Sequence, residues 1–202
     1  MKKIFLAIIL IASLILALSI LFAERVSFGP SHPLVDAARE QIGVVTEYDV
    51  GYYSGGGYPP DDRGACSDVV VRALESIGFL LKNKIDADMR QNPNEYSNEF
   101  DANINFRRVV NIDVFLARFA ESLPLDFGKN LDEWRAGDIV IFDQIPNRLW
   151  HIAIISNKKN SRGLPFIIHN HGRGTVENDL ITRWPSPIIG HYRIPELSNF
   201  SN

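Results

Sequence analysis

Between residues 138 and 194 the chain repeats one pattern: a short run of β-branched and aromatic residues, then a break. Asp138 to Phe142, His151 to Ile155, Phe166 to His169 and Gly190 to Ile194 are the runs; Asn147-Arg148 and Asn157 to Gly163 read as turns. Strands this short with connections this brief favour antiparallel pairing. Upstream the period changes to that of helices. Leu34, Ala37, Ala38, Gln41 and Ile42 follow Pro33 at helical spacing up to Gly43. Val69, Val70, Ala73, Leu74 and Ile77 form one face of a second helix that Gly78 can stop. Asp86 to Arg90 reads as a short helix, and Ile112, Phe115, Leu116 and Phe119 as an amphipathic one closed by Pro124. Helices first and a meander afterwards predict an α+β domain over residues 33–195, with the helices on one side of the sheet. Residues 80–133 read as an elaboration or as plain scaffold, and 196–202 as a tail.

The N-terminus reads as a separate object. Met1-Lys2-Lys3 precedes a run from Ile4 to Ala23 that carries no charge. At about 1.5 Å per residue such a run covers the roughly 30 Å of a bilayer core. It is longer than the apolar part of most cleavable signals. A signal anchor and a signal peptide cleaved after Ala17-Leu18-Ser19 both remain open. Either places the chain after a linker at 24–32 outside the cytoplasm. The expected location is periplasmic or otherwise extracytoplasmic, on the inner membrane if residues 4–23 are retained. With 21 basic and 24 acidic residues and no basic stripe, nucleic acid is a poor partner.

The chain has a single cysteine, so no internal disulfide can form. Cys66 follows a glycine- and proline-rich stretch (Ser54 to Pro60) and opens the second helix, where the macrodipole favours thiolate. A buried, inert thiol is the competing reading. A thiol nucleophile needs a base, and histidine suits that task near neutral pH. His151 heads one strand. His169 ends another, and on adjacent strands it can orient the ring of His151. His171 is the second choice for that role, His32 reads as a linker residue and His191 as structural. Tyr48, Tyr53 and Tyr58 are candidates for an oxyanion donor beside the Cys66 backbone N–H. Asp68 can bind a substrate amine or cap the helix. Arg107 and Arg108 can grip a substrate carboxylate or form a solvated charge pair.

Gly64-Ala65-Cys66-Ser67-Asp68, Gly137 to Val140, His151 to Ile155 and Ile168-His169-Asn170 resemble the NlpC/p60 superfamily of papain-like cysteine peptidases and amidases. Within it the chain is most similar to a family of bacterial exported proteins described as a domain of unknown function. That likeness rests on Tyr48-Asp49, Tyr58-Pro59, Cys66 to Arg72, Asp88-Met89, Asn103-Ile104, Arg107 to Val109, His169-Asn170 with Gly172 and Gly174, and Gly190 to Arg193. The resemblance covers about residues 33–195. It implies a papain-like fold, with Cys66 as nucleophile, His151 as base and His169 as orienting residue, and no cofactor or metal. The implied substrate is a cell-wall peptide stem of the peptidoglycan type, with Tyr48, Tyr58, Asp68, Arg107 and Arg108 as candidate contacts. Two departures stand out: Ala65 replaces the acidic residue common before the cysteine, and Phe106 stands where the closer family often has histidine. Two other classes compete. One is a zinc hydrolase using His169, His171 and His191 or His151. The other is a wall-binding module without catalysis.

Overall fold

The computed structural model describes residues 26–143 and 150–200. The described residues form an α+β domain with an antiparallel sheet and four α-helices. The helices are α1 (Pro33–Arg39), α2 (Cys66–Ser76), α3 (Leu81–Gln91) and α4 (Val109–Phe119). The strands are β1 (Ser27–Phe28), β2 (Glu47–Tyr48), β3 (Arg63–Gly64), β4 (Glu121–Ser122), β5 (Ile139–Phe142), β6 (His151–Lys159), β7 (Pro165–Asn170), β8 (Thr175–Asn178) and β9 (Ile188–Arg193). The main sheet runs β4-β9-β5-β6-β7-β8, and every pairing in it is antiparallel. β2 and β3 form a separate parallel pair.

Alternation along the central strands builds two cores. Ile139, Ile141, Ile152, Ile154 and Ile168 pack against the helices with Leu34, Val70, Leu74, Ile85 and Ile112. Val140, Phe142, Ala153, Ile155 and Ile167 face the other way, toward Trp134 and Ile181. Both faces are covered, which explains why β5 and β6 read as continuous apolar runs instead of alternating ones.

Several sequence expectations change in detail. The short helix expected at 86–90 extends over three turns because Leu81, Ile85 and Met89 bury one stripe. The first helix ends at Arg39, before Gly43. Gly78 does follow the second helix, with the left-handed φ of 88° that favours glycine. The expected linker 24–32 is docked from residue 27 onward. β1 pairs with Lys158 and Lys159 of β6, occupying the edge that β5 leaves open, so β6 extends into the expected turn. His32 is buried, caps α1 and lies over Gly137, whose φ of 86° and contact with the ring leave no room for a Cβ. The expected tail begins as a 3₁₀ turn, Pro195–Phe200, with Leu197 buried. The apolar run 4–23 and the turn at Asn147-Arg148 lie outside the described residues. Among the described residues, no helix is long and apolar enough to cross a membrane.

Candidate functional site

The start of α2 is fixed from beneath by a buried ion pair. Asp68 accepts the Ala65 N–H at 2.6 Å, closing the first turn, and receives Arg107 Nε and Nη2 at 2.8 and 2.9 Å. Arg107 also donates to the carbonyls of Asp49 and Gly51. Four hydrogen bonds from a side chain 3 % exposed leave Arg107 as scaffold, neither a solvated charge nor a free grip. Asp68, 2 % exposed, likewise caps and pairs instead of facing a ligand. Gly64 is required here, since a Cβ would meet the Asp68 side chain.

Asn170, at the end of β7, anchors the same region. Its Nδ2 donates to Glu47 O and Gly64 O at 3.1 and 2.8 Å, holding the β2–β3 pair against the main sheet. That pair carries Tyr48 and leads into Cys66. The two residues share a cavity of about 550 Å³ with Val50, Ser67, Asn98, Ile104, Arg108, Val109, Val110 and Trp150. Residues 98–110 thus form one wall of the site.

Cys66 is 3 % exposed. Burial pushes its thiol up to about 11, against the pull of the Ile152 and Ser67 N–H groups and the Tyr48 hydroxyl. The expectation that the helix end favours thiolate is therefore reversed at rest: desolvation wins. Burial and the neighbouring sulfur also raise the pKa of Tyr48.

His151 and His169 meet, Nε2 to Nδ1, at 2.6 Å. His169 Nε2 faces Asn178 Oδ1 at 3.3 Å. Burial lowers His151 well below its ordinary value, with His169 and His171 adding to the effect. Burial, then His171, brings His169 down to about 3. Both rings are neutral at physiological pH, and their tautomers follow from the contacts. An amide oxygen only accepts, so His169 carries its proton on Nε2 and accepts from His151 Nε2–H. His151 Nδ1 is left with a lone pair. Trp184 stacks on His151 at 4.1 Å and 15°, and meets His169 edge-on at 5.4 Å.

The sulfur reaches the head of β6 at Ile152, the residue after His151. The two rings pack instead with Phe142 and Trp184, on the opposite side of the sheet from the helices. No hydrogen bond joins either ring to the sulfur among the described residues.

The remaining candidates separate. Tyr58 bonds Glu75 and packs on Phe106, away from the cavity. Tyr53 bonds Asp49. His171 lies 4.9 Å from the His169 ring. His191 sits on β9, three strands from β7, and is held by Asp138 and the Pro124 carbonyl while stacking on Trp134. The zinc set of His169, His171 and His191 is therefore not assembled: strands about 4.8 Å apart put β9 and β7 beyond shared coordination. Among the described residues, no cluster of three potential ligands is positioned for a metal. Asn170, Asn178 and Trp184 were not foreseen as site residues. The last sits in an irregular loop whose sequence carries no period.

Comparison with known proteins places this geometry in a family. The model described as a domain of unknown function, DUF1287, matches residues 35–194. The chain belongs to the DUF1287 family. It is similar to the uncharacterized protein YijF of Escherichia coli strain K12, with 38% identity over 168 residues, covering 79% of this chain and 80% of that protein. No solved structure matches.

Proposed function

We propose that this DUF1287 protein is a thiol hydrolase that cleaves an amide bond through a thioester on Cys66. The observation that carries the reading is the hydrogen-bond relay from Asn178 through His169 to His151. It leaves an unprotonated Nδ1 on His151, next along the chain to the residue whose backbone N–H reaches the sulfur. The ring and the sulfur lie on opposite faces of β6. Reaction therefore requires the His151 side chain, at the first residue of the strand, to turn past the strand end and bring Nδ1 to the thiol as substrate enters. The S–H proton passes to Nδ1 while sulfur bonds to the carbonyl carbon. Collapse of the adduct breaks the C–N bond, and the imidazolium gives the proton to the leaving amine. Water then attacks the thioester, His151 takes its proton, and a carboxylic acid and the free thiol are released. The Cys66 backbone N–H and the Tyr48 hydroxyl are the donors for the oxyanion.

The substrate in this proposal is a peptide stem of the peptidoglycan type, and the protein is exported. Support comes from the charge-free run at residues 4–23 and the resemblance of the Cys66, His151 and His169 segments to the NlpC/p60 superfamily. The test is to incubate the purified full-length protein with muropeptides and follow products by mass spectrometry. New free amino and carboxyl ends that vanish in Cys66→Ala support the reading; unchanged muropeptides overturn it. A second reading, a binding site with an inert thiol, is favoured by the raised pKa of Cys66. Muropeptide binding without turnover selects it.

A further inference from the structure

Two helices of eleven residues point their N-terminal ends into the Cys66 cavity. α2 contributes Cys66 and Ser67, and α4 contributes Val109 and Val110 behind Arg108. Arg108 gives α4 no capping side-chain bond; the Asn111 N–H donates to the Arg108 carbonyl, and those of Val109 and Val110 are left at the open end. Each helix end also carries partial positive charge.

The side chains point the same way. Arg107 and Arg108 are the charged residues of the lining, which holds no carboxylate among the described residues. Asp68 neutralises Arg107. Arg108 is half-buried, and its guanidinium has no ion pair or hydrogen bond among the described residues. A second observation points to the same place: Ser67 belongs to the cavity lining, and its buried hydroxyl has no hydrogen-bond partner among the described residues. Buried hydroxyls are normally satisfied. The rest of the lining is mainly apolar, with Val50, Ile104, Val109 and Trp150.

We propose that this cavity binds a carboxylate of its ligand through Arg108, the Ser67 hydroxyl and the backbone N–H groups of Val109 and Val110 at the start of α4. Resting on the hydrolase reading above, this narrows the substrate class to short peptides with a free carboxylate close to the scissile amide. The apolar walls accept small side chains such as alanine. A peptide whose corresponding carboxyl is amidated lacks the charge and is a poor ligand.

The test measures binding of N-acetyl-alanyl-alanine and of its C-terminal amide to the full-length Cys66→Ala protein by calorimetry, and repeats both with Arg108→Gln added. A guanidinium–carboxylate contact is expected to favour the acid about tenfold or more, a preference that added salt weakens. Arg108→Gln is expected to abolish the preference. Because Arg108 makes no capping bond, its melting temperature is expected to stay within a few degrees of the parent. The acid-versus-amide comparison in the parent protein stands even if that variant misfolds. Equal affinity for acid and amide, or no binding of either, overturns the proposal. Acid-selective binding with no turnover by the wild type sinks the hydrolase reading alone. Equal cleavage of acid and amide by the wild type sinks the carboxylate site alone.

Discussion

The thiol side and the histidine side of the sheet use burial to opposite electrical ends. On the helix side, burial holds Cys66 as a neutral acid beside a cavity of about 550 Å³. On the far side, burial under Trp184 holds His151 and His169 as neutral bases. Desolvation disfavours whichever form is charged, so one rule raises the thiol and lowers the imidazoles. The resting site is therefore an uncharged acid and an uncharged base, not a thiolate–imidazolium pair. In the proposed reaction such a pair would move its proton during attack, which would tie turnover to the tautomer that Asn178 fixes.

The largest expected effect breaks the thiol half. Cys66→Ala should lower amide turnover by about a thousandfold or more, as is usual when a nucleophile is removed, measured as product formed per enzyme. Next in size is the frame beneath it. Arg107→Met leaves Asp68 buried without its partner and should cost about 3–5 kcal/mol in urea unfolding. Arg108→Gln, one residue away, should cost less than about 0.5 kcal/mol. Similar losses in both would refute the distinction between a scaffold arginine and a ligand arginine.

Trp184→Ala tests the histidine half. Admitting water should raise the pKa of both imidazoles toward the ordinary value and slow turnover by about tenfold, given the loss of one orienting contact. Proton NMR titration of the rings reports the first effect. The smallest effect is the pH dependence of stability. His151 and His169 are lowered in the folded state, so below about 6.5 the unfolded chain takes up protons that the native state refuses. Stability should fall as pH drops from 6.5 toward 3, and the decline should flatten in the His151→Gln, His169→Gln double variant. Cys66 gives the mirror image, with stability lost between about 9 and 11 as the unfolded chain ionises first.

The strands β5, β6, β7 and β9 and the helix at Cys66 were legible in the sequence because each carries its own period or punctuation. The pairing of His151 with His169 was legible too, since two strand-end histidines on neighbouring strands can meet. What escaped depends on register and long-range approach. β1, β2, β3 and β4 are two residues long, too short for any period to show. Asp68 and Arg107 are 39 residues apart, and only the folded chain reveals that each is the other's partner. Asn178 reaches His169 through the register of β8, which no composition encodes. The helix dipole at Cys66 is legible in the sequence but the depth of the sulfur is not, and burial gives the pKa shift the opposite sign to the one the dipole alone would give.

The most direct test of the central claim is intact-protein mass spectrometry after rapid acid quench, with full-length protein and a muropeptide substrate. A covalent acyl adduct that maps to the Cys66 peptide and is released by hydroxylamine is the result expected. Turnover that proceeds with no adduct at Cys66, or that persists in Cys66→Ala, would contradict it.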